Sequence, residues 1–333
     1  MKKVLIYEAN SNQALSIAKY IKKYSNYQVI GIVEKNRKFN KKYYDKIIIQ
    51  DFLKIDIDEF DYILPMGAES TYKIIDRYKT LCFSNNITFS ITNLIVFNKP
   101  KMLERAKSIN IPIPKTYYHR NDIQQFPIFY KENFENGGGV RGIAKSFDDI
   151  PKYDKLIYQE YIDTPSTYAI GFLAKDGDIL TYFQHKEVFS YPKDGGSAVL
   201  IEVYENEHLY LYTKKLLKEI NYNGWGLAEF KYCSKRKDFV FMEINAKLWA
   251  SIEFMLINNP LFLNKLLDIN YVNKSVDSVF YISRLFRLDL QDILVNIKYI
   301  FSKKIIKEES FIYLFIIKIT PQSIINIMKR ILK

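Results

Sequence analysis

A carboxylate and an amide stand two residues apart in residues 239–247. The segment is rich in Phe, Val and Ile, which predicts a strand. Because side chains alternate along a strand, Glu243 and Asn245 project from the same face, roughly 7 Å apart. Two oxygen ligands so placed suit Mg²⁺, which usually takes few protein ligands and completes its coordination with water and substrate phosphate. A polar edge strand is the alternative interpretation of this pair taken alone.

A second carboxylate is expected beside the first. Residues 225–232 predict another strand, and the turn at residues 234–237 folds it back onto residues 239–247. Counted from that turn, Glu229 falls within about one residue of the position opposite Glu243. Two carboxylates this close repel each other without a cation between them. Three oxygen ligands on adjacent strands therefore favour a metal site over a polar edge strand.

A run of glycines follows a predicted strand that ends in a lysine. The strand covers residues 126–131 and ends at Lys131, and the glycines after it are Gly137, Gly138, Gly139 and Gly142. A glycine-rich turn lets backbone N–H groups approach an anion closely, and Lys131 and Arg141 add positive charge. We expect an anion site here. A flexible hairpin tip is the alternative for the glycine run alone.

Three further segments carry candidate residues. Lys99 stands at the start of a predicted helix with Pro100 in the first turn, where a missing N–H costs little. Residues 156–162 predict a strand that ends in Glu160, Tyr161 and Ile162. A second glycine-containing loop, residues 195–197, follows soon after His185 and Lys186.

The elements that must position these residues divide the chain into three parts. Strands alternate with helices over residues 1–95, which predicts a Rossmann-like domain with a parallel sheet. Residues 96–280 predict a two-lobed domain whose mobile glycine-loop lobe covers about 115–190, and residues 281–333 predict a helical, basic extension. The fold class is therefore α/β, with α+β lobes in the second domain. No G-x-G-x-x-G follows the first strand, so no dinucleotide is expected there.

The net charge of +12 is compatible with nucleic acid, a membrane surface or an anionic ligand such as a nucleotide. The lysines are scattered and no Arg-rich helix is present, so we expect no nucleic acid partner. Cys82 and Cys233 are far apart and the three histidines lack zinc spacing, which argues against a disulfide scaffold or structural zinc. A signal peptide and apolar runs of about 18 residues are not found, so the expected location is cytoplasmic.

The last 50 residues differ in character from the rest. Residues 285–301 and 321–332 predict amphipathic helices, and the end is rich in lysine. Such helices pack on the core, contact a partner, or lie on an anionic membrane surface as a peripheral contact. Packing on the core is the interpretation we favour.

Taken in order, these segments resemble the ATP-grasp enzymes, in particular the carboxylate–amine ligases related to carbamoyl-phosphate synthase and biotin carboxylase. The resemblance covers roughly residues 1–270, beginning with the Rossmann-like domain that precedes the ATP-grasp domain in such enzymes. It depends on the order of the motifs, which are Lys99, Lys131 with its glycine loop, residues 159–162, residues 195–197, Glu229 and Glu243-x-Asn245.

The resemblance implies a role for each motif. Lys99 and Lys131 resemble the lysines that hold ATP phosphates. The glycines Gly137, Gly138, Gly139 and Gly142 resemble the mobile loop that closes over the phosphates. The hinge that binds the adenine is matched by Glu160, Tyr161 and Ile162. Glu229, Glu243 and Asn245 resemble the ligands of Mg²⁺, or of Mn²⁺ in its place, with Glu243 bridging two ions about 3.5 to 4 Å apart.

Three positions depart from the family pattern. Lys247 stands where such enzymes often have Arg. The substitution replaces a planar guanidinium group by the point charge of an ammonium group. Ser166 and Thr167 stand where an acidic residue often contacts the ribose. Lys186 follows His185 where an Arg is common. His185 is expected either to contact substrate or to make a structural hydrogen bond, and Lys186 and Lys247 are the other candidate catalytic residues.

The implied reaction joins a small-molecule carboxylate to an amine. ATP phosphorylates the carboxylate, ADP leaves, and the amine displaces phosphate from the acylphosphate, with positioning and charge neutralisation as the protein's main contributions. A phosphotransferase or carbamoyl-phosphate-type synthase, and a nucleotide-binding protein without turnover, are the alternative functions. By analogy, a homodimer through the first domain is one expected assembly.

Overall fold

The computed structural model describes residues 1–35, 38–84, 87–134, 139–164, 166–191, 196–281 and 304–306. Gly137, Gly138, Gly195 and the predicted helices at residues 285–301 and 321–332 lie outside the described residues, and so does the proposed membrane contact. The predicted mixed α/β class is confirmed. The domain boundaries stay predictions. Within the described ranges, the structure contains no helix long and apolar enough to cross a membrane.

Six α-helices are described. They are α1 (Asn12–Tyr24), α2 (Ala68–Tyr78), α3 (Lys99–Ser108), α4 (Glu207–Glu219), α5 (Ile252–Asn258) and α6 (Leu261–Leu267).

The strands of the described ranges form four sheets. They are β1 (Lys3–Ile6), β2 (Gln28–Val33), β3 (Lys46–Ile49), β4 (Tyr62–Leu64), β5 (Thr80–Ser84), β6 (Ile87–Ser90), β7 (Thr116–Tyr117), β8 (Ile128–Glu132), β9 (Arg141–Ala144), β10 (Leu156–Glu160), β11 (Thr167–Lys175), β12 (Asp178–Tyr191), β13 (Ser197–Val203), β14 (Gly224–Cys233), β15 (Asp238–Asn245), β16 (Ser278–Tyr281) and β17 (Lys304–Ile306).

The first sheet is the parallel one that strand–helix alternation predicts. Its strand order is β3-β2-β1-β4 and every pairing is parallel. Helix α1 begins at a serine cap, because the Ser11 side chain accepts a hydrogen bond from the Ala14 N–H. Helix α2 follows β4 and has no side-chain cap of its own at Gly67. The carboxylate of Glu8, after β1, accepts hydrogen bonds from the Met66 and Gly67 N–H groups there.

The second sheet is small and antiparallel, with strand order β7-β10-β8-β9. It has a hydrophobic cluster of its own, formed by Tyr117, Ile123, Ile128, Ala144, Ile150, Leu156 and Tyr158. Because this cluster is separate from the main core, the sheet packs as a distinct lobe. The lobe carries Lys131 at the end of β8 and Glu160 at the end of β10.

The third sheet has seven strands in the order β15-β14-β11-β12-β13-β16-β17. Strand β17 pairs in parallel with β16 and comes from the extension that we predicted to be helical, so that prediction is wrong over Lys304–Ile306. The main core joins this sheet to the parallel sheet. At one contact between them, Glu253 of α5 accepts a hydrogen bond from Ser16 of α1 and pairs with Lys19.

Helix α3 connects the main body to the small sheet. The Asn98 side chain caps the helix by accepting from the Lys101 N–H at 3.0 Å, and Pro100 occupies the first turn as predicted. The Lys99 N–H donates to the Asn133 carbonyl, just beyond β8, at 2.9 Å. This backbone contact brings the start of α3 close to the end of the strand that carries Lys131.

Gly224, at the start of β14, sets one close contact between the seven-stranded sheet and strand β6. Its φ is +115°, and a Cβ there would overlap the ring of Phe89 in β6. We expect Gly224→Ala to lower the free energy of unfolding by roughly 2 to 4 kcal/mol, because strain and overpacking add. Urea unfolding measures this change.

A double-mutant cycle with Phe89→Ala separates the two contributions. Without the ring, Gly224→Ala should cost less than it does in the wild type, because only the backbone strain remains. Equal costs in the two backgrounds would show that the ring contact contributes nothing.

Candidate active site

The predicted pair of carboxylates is present on the third sheet. Glu229 of β14 and Glu243 of β15 are directly opposite each other, and Leu227 is opposite Asn245. The Asn245 side-chain amide donates to Glu229 Oε1 at 3.0 Å and lies 3.4 Å from Glu243 Oε1. The prediction that Glu229 falls within one residue of the position opposite Glu243 is confirmed. The four-residue turn sets the pairing as far as Phe230 and Phe241, and a β-bulge at Met242 then brings Glu243 opposite Glu229.

Two buried lysines reach the same carboxylate from other elements. Lys131 Nζ lies 2.8 Å from Glu243 Oε2 and also donates to the Met242 carbonyl at 3.2 Å. Lys99 Nζ lies 3.9 Å from the same Glu243 oxygen. Lys99 is only 5% exposed and Lys131 only 7%. Buried charges require partners of opposite sign, so Glu243 holds both lysines in place.

The two carboxylates differ in their electrostatic surroundings. Burial raises the pKa of the Glu229 carboxyl, and the negative charges of Glu243 and Glu187 raise it further. Burial also disfavours the charged form of Glu243, but Lys131 and Lys99 outweigh it and lower the pKa of that carboxyl. Glu243 is therefore anionic. The charged form of Glu229 is disfavoured, and a nearby cation would stabilise it.

Glu229, Glu243 and Asn245 carry the oxygen atoms that a hard cation takes as ligands, although the Asn245 amide nitrogen is the atom that faces the two carboxylates here. Two carboxylates and an amide supply only oxygen ligands, the type that Mg²⁺ prefers, and leave positions for water and phosphate. No cluster of three or more His, Cys, Asp or Glu side chains is placed to bind a metal in the described residues.

A cavity of about 540 Å³ opens in front of these residues and is lined by the small sheet, by the seven-stranded sheet and by segments that follow β1 and β4 of the parallel sheet. The predicted residues that line it are Lys99, Lys131, Arg141, Glu160, Tyr161, Ile162, Gly196, Ser197, Glu229, Glu243, Asn245 and Lys247. The structure therefore brings together twelve of the residues that the motifs single out.

The glycine segment is only partly as predicted. Gly142 was expected in a mobile loop, but it belongs to strand β9 and pairs with Tyr130 of β8. A Cβ at Gly142 would fall 2.5 Å from the Tyr130 hydroxyl, so a packing contact explains this glycine. Gly139 precedes the strand at a φ of +91°. Arg141 pairs with Lys131 in the ladder and lines the cavity.

The carboxylate of Glu160 is held by other groups of the chain. It accepts a hydrogen bond from the Lys115 N–H at 2.8 Å and forms an ion pair with Arg236. Arg236 also donates to the Ile113 carbonyl at 2.9 Å. These contacts attach the end of β10 to the linker before β7 and to the turn between β14 and β15. The segment that lines the cavity at Glu160, Tyr161 and Ile162 is thereby anchored.

His185 and Lys186 were predicted as catalytic residues, and the structure contradicts both. Neither lines the cavity. His185 is 2% exposed and packs against the rings of Phe183 and Phe254, with no hydrogen-bond partner for Nε2 in the described residues. The Lys186 side chain projects from the face of β12 opposite to that of His185, and its Nζ lies 5.8 Å from the Tyr168 ring centre.

Several cavity residues were not predicted. Glu187 follows Lys186 in sequence, and Glu132 follows Lys131. Strand alternation was a usable signal for Glu187, because it places Glu187 on the face of β12 opposite to Lys186. Glu8, Gln13 and Trp249 also line the cavity, together with Gly67, Ala68, Glu69 and Ser251. For these no local motif existed.

The fold is shared with known enzymes. Pyruvate carboxylase from Rhizobium etli matches with a TM-score of 0.62 and 15% identity over 82% of this chain and 29% of its own chain. Biotin carboxylase from Campylobacter jejuni, solved as a beta-gamma-ATP complex, matches with a TM-score of 0.59 and 16% identity over 82% and 72% of the two chains. An L-amino acid ligase from Bacillus licheniformis matches with a TM-score of 0.55 and 12% identity over 77% and 70%.

These structural matches define the class of fold. No family model matches the sequence, and no curated protein matches it either. The chain has the ATP-grasp fold that its motif order indicates, shared with biotin carboxylase and L-amino acid ligase. The chain spans less than a third of the pyruvate carboxylase chain.

His185 makes folding stability depend on pH. Burial lowers the pKa of His185 from 6.5 to about 4. Below pH 6.5 the unfolded chain binds a proton that the folded chain does not bind until about pH 4, so stability falls as the pH is lowered through that window. We expect His185→Leu to remove about 3 kcal/mol of this acid destabilisation.

Urea unfolding at several pH values between 4 and 7 measures this effect. His119→Gln, at an exposed position, is the control for loss of a histidine. If His185→Leu kept the full wild-type dependence on pH, the buried histidine would not be its source.

Proposed function

We propose that this protein is an ATP- and Mg²⁺-dependent ligase that joins a carboxylate to an amine through an acylphosphate and releases ADP and phosphate. The observation that carries the proposal is the convergence of Lys131 and Lys99 on Glu243, directly opposite Glu229 and within one cavity. The fold shared with biotin carboxylase and L-amino acid ligase supports the same class of reaction.

The basic side of the cavity suits the phosphates of a nucleotide. Lys99 and Lys131 are buried and held by Glu243, so their ammonium groups are already positioned. Arg141 adds a guanidinium from the strand beside Lys131. The anchored segment ending β10 is the proposed adenine contact, as its position on the cavity wall supports. Lys247 supplies a single positive charge at a position where an Arg guanidinium would bind two oxygens at once.

Glu229, Glu243 and Asn245 are the proposed metal ligands. Bound there, Mg²⁺ would neutralise phosphate charge and orient the transferring group. The Lys131 ammonium donates to Glu243, with Lys99 nearby, and the Asn245 amide N–H donates to Glu229. Both carboxylates thus already face positive or partly positive groups, which supports a cation at the same place.

The reaction proceeds in two displacements. A carboxylate oxygen of the substrate attacks the γ-phosphorus of ATP, the bond from that phosphorus to the β–γ bridging oxygen breaks, and ADP leaves. The amine nitrogen then attacks the acyl carbon, the carbon–oxygen bond to phosphate breaks, and the nitrogen loses a proton to water or phosphate. Lys99, Lys131 and Arg141 bind and orient the phosphoryl group in the first step.

We expect the two substrates to be a small-molecule carboxylate and a small-molecule amine. Glu8, Gln13 and Trp249 line the cavity together with residues of the third sheet. They are the residues we expect to select the substrates. The cytoplasmic location and the homodimer stay predictions.

The test of the proposed function is an ADP-release screen over pairs of carboxylates and amines. We expect Mg²⁺-dependent ADP release that requires both substrates. ADP release with the carboxylate alone and an accumulating phosphorylated product would indicate a phosphotransferase or carbamoyl-phosphate-type synthase. Nucleotide binding without ADP release across the panel would indicate a protein that binds without turnover.

Glu243→Gln tests the metal and lysine site directly. The neutral amide removes a metal ligand and the partner of two buried lysines, so we expect turnover to fall by a factor of roughly 10² or more. Circular dichroism checks that the fold is intact. Glu104→Gln, on the exposed face of α3, is the control. Wild-type ADP release by Glu243→Gln would contradict the assignment.

A further inference from the structure

Glu132 is a buried carboxylate for which the proposed reaction has no use. It follows Lys131 at the end of β8, is 9% exposed and lines the cavity. Its Oε1 accepts a hydrogen bond from the Val140 N–H at 2.9 Å, and its own N–H donates to the Val140 carbonyl at 3.0 Å. One residue therefore holds both backbone polar groups of Val140. A buried carboxylate would be costly without such partners.

The residue before Val140 is shaped by the same carboxylate. Gly139 has a φ of +91°, in the region that favours glycine. A Cβ at Gly139 would fall 2.6 Å from the carboxyl carbon of Glu132 and 2.8 Å from both of its oxygens. The carboxylate thus occupies the space that a side chain would need. The backbone conformation favours glycine at position 139, and a side chain there would displace the Glu132 carboxylate from its present place.

The contact is close to the groups that would bind phosphate. Strand β9 begins at Arg141, which pairs with Lys131 across the β8–β9 ladder and lines the cavity. Fixing Val140 to Glu132 therefore sets the point at which β9 begins beside Lys131. A carboxylate acceptor makes a stronger hydrogen bond with an N–H than a neutral acceptor does. Tyr153 adds a further side-chain hydrogen bond to Glu132.

We propose that Glu132 is a positioning residue for nucleotide binding: its carboxylate fixes Gly139 and Val140 so that Arg141 stands beside Lys131 at the phosphates. The inference rests on the proposed function for the identity of the ligand. Glu132 does not touch the phosphates in this role, because two anions would repel each other. It acts through the backbone of Val140.

Hydrogen exchange at the Val140 amide tests the anchor without any ligand. We expect Glu132→Ala to speed exchange roughly tenfold or more, as loss of a charge-assisted hydrogen bond predicts. Glu132→Gln keeps an oxygen acceptor and should recover most of the protection. Asp122→Ala removes an exposed carboxylate from the same lobe and is the control. Wild-type protection in Glu132→Ala would overturn the proposal.

Binding of ADP and of Mg²⁺-ATP, measured by calorimetry, tests the consequence. We expect Glu132→Ala to raise the Kd roughly tenfold while Glu132→Gln stays within a few-fold of the wild type. Lost protection of Val140 with unchanged Kd would also overturn the proposal. Failure of the wild type to bind either nucleotide would instead contradict the proposed function, and the exchange result would still decide whether Glu132 fixes Val140.

Gly139→Ala provides a further test, because its effect on nucleotide binding should depend on whether the Glu132 carboxylate is present. In the wild type the new Cβ meets the Glu132 carboxylate, whereas in Glu132→Ala that contact is gone and only the backbone strain remains. We therefore expect Gly139→Ala to raise the Kd for ADP several-fold less in the Glu132→Ala background. Equal effects in the two backgrounds would show that the carboxylate does not shape this segment.

Discussion

The contact between Lys131 and Glu243 joins two separately packed parts of the molecule. Lys131 belongs to the small sheet, which has its own hydrophobic cluster, and Glu243 belongs to the seven-stranded sheet of the main core. Both side chains are largely shielded from water, so each charge is stable only with the other in place. Removing either would leave an uncompensated charge in the cavity wall. The position of the small lobe against the large sheet therefore depends on this pair.

The same contact makes the two facing carboxylates unequal. Glu243 carries the attraction of Lys131 and Lys99, while Glu229 has burial and two negative neighbours to oppose its ionisation. A symmetrical pair would share one proton between equivalent groups. Here the lysines stabilise the negative charge of Glu243, whereas Glu229 ionises most easily when a cation is bound beside it. That inequality suits a site in which the metal enters together with the nucleotide.

Sequence patterns predicted what depends on short stretches of chain. Counting from the four-residue turn between β14 and β15 places Glu229 opposite Met242, one residue from Glu243. The sequence therefore predicted the approximate opposition of the two carboxylates, and a β-bulge at Met242, which no local pattern indicated, makes it direct. The prediction for His185 failed for a tertiary reason. His185 stands in the same cross-strand row as those two residues, by way of Ala169. However, Phe254 of α5 covers that part of the sheet face, and no local pattern shows where a later helix will pack.

Charge balance in the cavity gives a physical reason for the divalent cation of the proposed function. Among the described residues, seven carboxylates line the cavity against five basic side chains. The carboxylates are Glu8, Glu69, Glu132, Glu160, Glu187, Glu229 and Glu243, and the basic residues are Lys99, Lys131, Arg141, Lys231 and Lys247. The net charge of +12 on the whole chain is therefore not concentrated at the site. A nucleoside triphosphate is itself a polyanion, so the lysines that already neutralise Glu243 cannot also neutralise it unaided. A cation held by the two facing carboxylates would remove that conflict, because it would add positive charge beside both the carboxylates and the phosphates.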